Sequence, residues 1–212
     1  MIIAIDGTTA SGKGTIAKRL SAHYGLPHMD TGRLYRATGV AAMRAGVALD
    51  DADGVAMVAR SLDLTDFDEA DLRTAEAGKA ASVVAAIPEV RRALFDLKRA
   101  FATQPIGALL DGRDIGTIIA PEADAKLWVD ASVEVRGARR WKELCGQGSD
   151  IALETVIEQL RVRDQRDQSR IDAPAEMAAD AVLIDTTDLT IEAAVEKAIA
   201  AVEAAMARGN RA

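Results

Sequence analysis

Aromatic side chains make up only 3% of the 212 residues, and the chain has two histidines and a single cysteine, Cys145. So few aromatic rings leave little for stacking against bases, which argues against a single-stranded nucleic acid as partner. One cysteine rules out an internal disulfide and fits a reducing compartment. Positive charge is in deficit, 26 Lys and Arg against 33 Asp and Glu, and the net charge of −7 argues against a general nucleic-acid surface. No apolar run is long enough to cross a membrane, and the sequence enters its first strand without a charged leader. The expectation is a cytoplasmic monomer without membrane or nucleic-acid partners. No internal repeat or low-complexity tract interrupts a chain that is 49% hydrophobic, enough for one compact domain with small appendages.

Against this background one stretch stands out, Gly7-Thr8-Thr9-Ala10-Ser11-Gly12-Lys13-Gly14-Thr15, directly behind the apolar run Ile2 to Ile5 and Asp6. Its first seven residues fit G-x-x-x-x-G-K, between a short buried strand and a helix beginning near Gly12, which is where such a loop can work. Two glycines let consecutive N–H groups turn into one concavity, and the helix adds its positive end, so the stretch is an anion cradle. Lys13 then reaches outer phosphates as a point charge. The hydroxyl that ordinarily follows the lysine is displaced by Gly14 to Thr15, and G-K-G-T in this form resembles the nucleoside monophosphate kinases. That resemblance gives Thr15 a part in holding the water around Mg²⁺. A ligand-free glycine turn is the competing explanation, and strand, spacing and lysine together count against it.

The remaining elements follow in order. An amphipathic helix from Thr15 to Tyr24 is ended by Gly25 and Pro27, and His28 to Asp30 forms a short strand before a helix opening at Thr31. His23 and His28 lack a neighbouring Ser, Cys or metal-ligand pattern and are read as surface or turn residues. The acid-rich stretch from Val47 to Asp71 is read as a solvated connection around one short helix near 54–62. A helix over Leu72 to Ala86 and another restarting at Pro88 follow. Gly107 to Leu110 is a core strand, and Asp111-Gly112-Arg113-Asp114-Ile115-Gly116-Thr117 follows as a charged, glycine-bracketed loop that packing does not explain. Asp111 has the placement of a metal-facing carboxylate, and Arg113 can hold a phosphate bidentately. Ala125 to Asp130 and Ala181 to Ile184 are further strands. Between them lie two arginine-rich helices meeting at Gly146 and Gly148, with Arg136, Arg139, Arg140 and Lys142 on one and Arg161, Arg163, Arg166 and Arg170 on the other. Either a salt-bridged hairpin or a mobile lid over phosphates accounts for them, and the cradle upstream favours the lid. Its arginines are expected to be exposed, so that replacing Arg163 or Arg170 would barely change stability.

Five strands alternating with helices predict an α/β protein: a P-loop fold with a five-stranded parallel sheet flanked by helices, a small acceptor-binding insert and a helical lid. The expected boundaries within a single 1–212 domain are a core over roughly 1–46, 104–139 and 171–212, an insert over roughly 47–103 and a lid over roughly 140–170.

Taken in sequence order, G-T-T-A-S-G-K-G-T, M-D-T-G-R-L-Y-R, D-G-R-D-I-G-T and R-V-R-D-Q-R-D-Q-S-R span nearly the whole chain and resemble the bacterial cytidylate kinases. The third and fourth together are particular to that family. The resemblance implies ATP binding along Gly7 to Thr15 and Mg²⁺ held through water by Thr15 and Asp111. It implies CMP or dCMP as acceptor, with Thr31 in its site, its phosphate on Arg36 and Arg113, and its base on Ser82, Arg91 and Asp114. The ribose falls to Arg163 and Asp167 with Arg170 nearby. Lys13, Asp111, Arg113, Arg163 and Arg170 are the implied catalytic set. Two departures are visible: the acidic stretch Asp63 to Arg73 is shorter than the insert usual in the family, and Thr8-Thr9-Ala10-Ser11 lacks the Pro and Gly often found inside the cradle.

The chemistry is also legible without a family name. An acceptor phosphate has lost its second proton by about pH 6, so no general base is needed; the task is to neutralise two polyanions and hold them in line. Lid closure would exclude water and suppress ATP hydrolysis. A P-loop kinase for UMP, AMP or a small metabolite, or a nucleotide-binding switch, remains open on the residues alone.

Overall fold

A computed structural model describes residues 1–209 of the chain. Two compact units make it up, one from Met1–Met29 and Phe101 onward, the other from Asp30–Ala100.

The first unit is organised on a sheet whose strands are covered on both faces. In β1 (Ile2–Gly7) alternate side chains enter different cores: Ile3 and Ile5 join one cluster, Ala4 another. This is the period-two signature of a fully buried strand and explains why β1 reads as a continuous apolar run. The helix α1 (Lys13–Tyr24) starts at Gly12, whose φ of 90° is left-handed, and puts Ile16, Ala17 and Leu20 onto the first cluster. The short β2 (His28–Asp30) follows.

Asp30 closes β2 and caps α2 (Thr31–Arg44) by accepting from the Arg33 N–H at 3.2 Å. The second unit continues with α3 (Ala52–Arg60), α4 (Glu69–Arg73), α5 (Ala75–Val84) and α6 (Pro88–Ala102), which runs to the border of the first. The single helix expected over 72–86 is in fact two, because Thr74 caps: its side chain accepts from the Ala77 N–H at 3.0 Å, and its extended backbone separates α4 from α5. Gly39 on α2 faces Ala80 on α5 so closely that an added Cβ would stand 2.7 Å from the alanine methyl, and Ala37, Val40, Phe67, Leu72 and Ala77 fill the core around this crossing.

Back in the first unit come β3 (Ala108–Gly112), a wide turn over Ile115–Ile119, β4 (Ala125–Asp130), the helical pair α7 (Val133–Gly146) and α8 (Leu153–Gln168), β5 (Val182–Asp185) and α9 (Ile191–Gly209). The strand order is β2-β3-β1-β4-β5, with parallel pairing of β1 to β3 and β4 and of β4 to β5. Central β1 thus lies between β3 on one side and β4 on the other, where the winding of the sheet reverses, which opens a crevice beyond its carboxyl end. β3 runs two residues past the expected end, so Asp111 is a strand residue paired in register with Ile5, not part of a loop. Among the described residues no helix is long and apolar enough to cross a membrane.

Candidate active site

The loop after β1 is held open by backbone conformation and by anchors on both sides. Gly7 has φ 149°, Ala10 φ 62° and Gly12 φ 90°. Ala10 therefore occupies, as an L residue, the left-handed region that glycine adopts without strain, which is the physical meaning of the missing loop glycine noted above. A Cβ on Gly12 or Gly14 would meet nothing within 4 Å, so neither glycine is there for packing. In the first turn of α1 Thr15 and Ile16 already donate to the Gly12 carbonyl, so the N–H groups ahead of them are the ones a helix start of this kind turns toward an anion.

Arginines and hydroxyls pin the loop from behind. Arg136 donates to the Thr9 carbonyl at 3.3 Å and Arg139 to the Ser11 carbonyl at 3.3 Å. Thr186 donates to the same Ser11 oxygen at 2.7 Å, and the Thr8 hydroxyl donates to Asp130 at 2.6 Å. Inward-facing carbonyls are thereby occupied by protein donors, leaving the amide side of the loop for an anion. Arg136 and Arg139, which sequence reasoning grouped with the arginines of a moving hairpin, thus brace the cradle. Neither their role nor that of Thr186 has a local sequence signal.

Lys13 and Asp111 form an ion pair, and His28 Nε2 lies 2.8 Å from the other Asp111 oxygen. Burial would raise the Asp111 carboxyl, but the Lys13 ammonium and the His28 contact outweigh it and hold the group far below the ordinary carboxylate range. His28 is therefore not a turn or surface residue: it sits on β2 and fixes Asp111. Among the described residues no three His, Cys, Asp or Glu side chains gather to hold a metal by themselves. The exposed Thr15 on the first turn of α1 and the Asp111 carboxylate are hard oxygen donors, and so small a protein set suits Mg²⁺, which keeps several waters and shares phosphate oxygens.

A second residue missed by sequence reasoning is Asp6, 4% exposed at the end of β1. It accepts from the Ile115 N–H at 2.9 Å and the Gly116 N–H at 2.8 Å, tying the wide turn after β3 to the strand that leads into the cradle. Burial pushes the Asp6 carboxyl up to about 6, against the lowering effect of these two amide bonds. A carboxyl raised in this way favours the fold while protonated and loses that contribution as the pH rises through about 6. At neutral pH the amide pair is what compensates its buried charge.

The clamp fixes the residues just before it. Asp114 is buried, and its carbonyl accepts from Ile118 at 2.9 Å and Ile119 at 3.1 Å at the start of the wide turn. Arg113 donates to Thr9 Oγ1 at 2.6 Å and, through Nε, to Asp167 at 3.2 Å. Asp167 gathers further cations, pairing with Arg170 and lying 4.0 Å from Arg163 Nε. Gly7, Thr8, Arg113, Trp128, Asp164 and Asp167 line one cleft, so the cradle, the charged loop and the end of α8 meet there. In the second unit, Arg36 donates to Asp30 at 2.6 Å, Ser82 is buried on α5, Arg91 is buried on α6, and Thr31 is buried at the start of α2.

The exposure expected of the arginines around α8 fails as well. Arg170 is not an exposed lid arginine, since its side chain is 6% and that of Asp167 5% exposed. Arg170→Ala should therefore lower stability by about 2 kcal/mol, the cost of leaving a buried charge short of donors. By contrast Arg161→Ala, whose pair with Glu134 is exposed on both sides, should cost no more than about 1 kcal/mol. Thermal melts of the two variants decide it, and equal melting temperatures would count against the buried pair.

A family model for cytidylate kinase matches residues 3–204. A cytidylate kinase of Methylocella silvestris is 58% identical over 205 residues, covering 97% of this chain and 95% of that protein. Another, of Xanthobacter autotrophicus, is 57% identical over 204 residues, covering 96% and 98%. A solved structure of an uncharacterized protein from Eubacterium ventriosum is similar with a TM-score of 0.54 and 15% identity, covering 96% of this chain and 98% of that one, a likeness of fold alone. Matched from its first strand into its last helix, with the D-G-R-D-I-G-T and R-D-Q-R-D stretches folded against the loop after β1, the chain belongs to the cytidylate kinase family.

Proposed function

We infer that the chain transfers the terminal phosphoryl group of ATP to CMP, giving ADP and CDP, and accepts dCMP as well. The observation that carries this reading is the convergence at the end of β1: an open anion cradle, Lys13 on Asp111, and a clamped D-G-R-D loop whose arginine already touches the cradle through Thr9. In this reading residues 7–15 take the donor phosphates. Arg36 and Arg113 take the acceptor phosphate, Ser82, Arg91 and Asp114 the cytosine, Arg163 and Asp167 the ribose, and Thr31 adjoins the acceptor. Residues of roughly 140–170 act as a lid and those of roughly 47–103 as an acceptor-binding insert. The protein works as a cytoplasmic monomer.

The residues do their work by position and charge. The acceptor phosphate arrives ionised, so no side chain has to remove a proton. Lys13 and Arg113 offset the repulsion between the two substrates, and the braced cradle keeps the donor phosphates from recoiling. Mg²⁺, held by Thr15 and Asp111 through water, supplies further neutralisation of phosphate oxygens when bound. Asp167, which pairs with Arg113 and Arg170, also takes the ribose in this reading.

Cytosine presents an amino donor where uracil presents a carbonyl acceptor, so a buried carboxylate beside that edge accepts from one and repels the other. Asp114 is that carboxylate in this reading. Wild type should prefer CMP to UMP by at least about tenfold in kcat/KM, and Asp114→Asn should narrow the ratio mainly by losing CMP activity. Steady-state kinetics with Mg-ATP and CMP, dCMP, UMP, AMP and GMP check this. ATP consumption that ignores the acceptor would instead favour a nucleotide switch, and an unchanged CMP/UMP ratio in Asp114→Asn would make that residue a support for Arg113.

A further inference from the structure

The second unit buries a lysine that its packing does not need. Lys98, on α6, is 1% exposed, and its ammonium donates to the Tyr35 hydroxyl at 2.9 Å. Among the described residues Lys98 takes part in no ion pair, so a full charge is buried against a neutral phenol. Burying such a charge without a counter-charge is unfavourable relative to an apolar residue of the same volume. A chain that keeps it there at a loss of stability has another use for it.

The use is suggested by what else touches Tyr35. Arg91 lies seven residues before Lys98 and so on the same face of α6, two turns away. Its guanidinium carbon stands 5.8 Å from the centroid of the Tyr35 ring, within cation–π range, and its Nη1 donates to the Ala85 carbonyl at 3.2 Å. Tyr35 itself sits on α2 beside Arg36, which is tied to Asp30. The ring thus lies within cation–π range of two cations, Arg91 and the Lys98 ammonium at 5.2 Å, and the second of them also holds its hydroxyl. Fixing the hydroxyl fixes the position of the ring and the direction of its long axis, and the ring's position determines where Arg91 rests.

We propose that Lys98 is a positioning residue which, by anchoring the Tyr35 hydroxyl, sets the Arg91 guanidinium for recognition of the acceptor's base. This rests on the reading that CMP is the acceptor and that Arg91 contacts its base. Lys98 touches no substrate; its effect passes through Tyr35 to Arg91. The donor cradle, in the other unit, is independent of it. The consequence is a loss confined to the acceptor side.

The test is a kinetic split on the full-length protein. Lys98→Met and Tyr35→Phe should each raise KM for CMP about tenfold, the worth of one lost hydrogen bond or misplaced contact, and lower the CMP/UMP ratio. KM for ATP and kcat at saturating CMP should stay within about twofold of wild type. Lys98→Gln, which keeps a donor for the hydroxyl, should restore most of the affinity. The double variant Lys98→Met with Tyr35→Phe should be no worse than either single one, because both break the same link. An unchanged KM for CMP in both single variants, whatever their melting temperatures, overturns the proposal, as does an equal rise in KM for ATP. If Lys98→Met fails to fold, Tyr35→Phe alone carries the test, since it removes one oxygen and keeps the ring. Wild-type turnover with CMP, measured first, separates the two levels: its absence sinks the underlying reading, while normal wild-type turnover with unaffected variants sinks only this inference.

Discussion

Lys13→Ala should abolish most phosphoryl transfer, lowering kcat/KM for both substrates by at least about a hundredfold, which corresponds to a loss on the order of 3 kcal/mol of transition-state stabilisation. The charge removed belongs to the first turn of α1, on the residue between Gly12 and Gly14, whose would-be Cβ atoms meet nothing within 4 Å. The ammonium is paired with Asp111, so the lysine also has a structural duty that separates it from a purely catalytic group. Its loss leaves Asp111 buried without its lysine, with His28 Nε2 still 2.8 Å away. A carboxyl held far below its ordinary range contributes stability at neutral pH that disappears only as the pH falls through its lowered value. Without Lys13 that value moves upward, and acid unfolding of the variant should begin at a higher pH than that of wild type. Steady-state rates at pH 7 and acid-unfolding curves by circular dichroism read the two duties separately. A variant with near-normal turnover would remove Lys13 from the chemistry and, with it, the reading of the loop as a donor-phosphate site.

What the sequence could carry about this site is what lies close together along the chain. The cradle was legible because its geometry is written in nine consecutive residues, with Gly7 and Gly12 where the backbone needs them. The Asp111 to Thr117 segment was legible because charge directly after a buried strand is costly unless it serves something. The sheet was legible in the period-two and unbroken apolar runs of β1, β3 and β4. The residues missed depend on partners far off in sequence. His28 meets Asp111 across 83 positions, Asp6 meets Ile115 and Gly116 across 109 and 110, and Thr186 reaches Ser11 across 175. Such pairs leave no periodicity, and a lone acid at the end of a strand reads as the strand's edge. Arg170 was misjudged for a related reason: read as part of an arginine-rich helix it looks exposed, but it lies two residues past the end of α8 and pairs with the buried Asp167. The break at Thr74 had a local signal, a threonine preceding a new helical run, which the apolar periodicity on either side concealed.

Gly7→Ala should cost about 4 kcal/mol or more, combining backbone strain with overpacking against a rigid neighbour, and should lower the melting temperature by roughly 8–16 °C for a chain of this size. A Cβ at Gly7 would stand 1.9 Å from the Val129 carbonyl oxygen and 2.8 Å from its carbon, and these are backbone atoms of β4 that no side-chain rotation can clear. Gly7 and Val129 are register partners, and the same Val129 oxygen accepts from the Thr8 N–H at 3.2 Å. To admit a methyl group, β1 and β4 must part at the point where the cradle begins, or the φ of 149° must change and redirect the loop. Gly12→Ala provides the contrast within the same loop. Nothing lies within 4 Å of its would-be Cβ, so only the strain of a left-handed alanine remains, about 1–2 kcal/mol, and the new methyl enters the space assigned to phosphate. Gly12→Ala should therefore fold, melt within a few degrees of wild type and lose nucleotide binding, whereas Gly7→Ala should lose the fold first. Thermal melts with and without ATP measure both effects. If Gly7→Ala melts at the wild-type temperature, the β1 to β4 pairing is soft at Val129, and the cradle is held by Arg136, Arg139 and Thr186 alone.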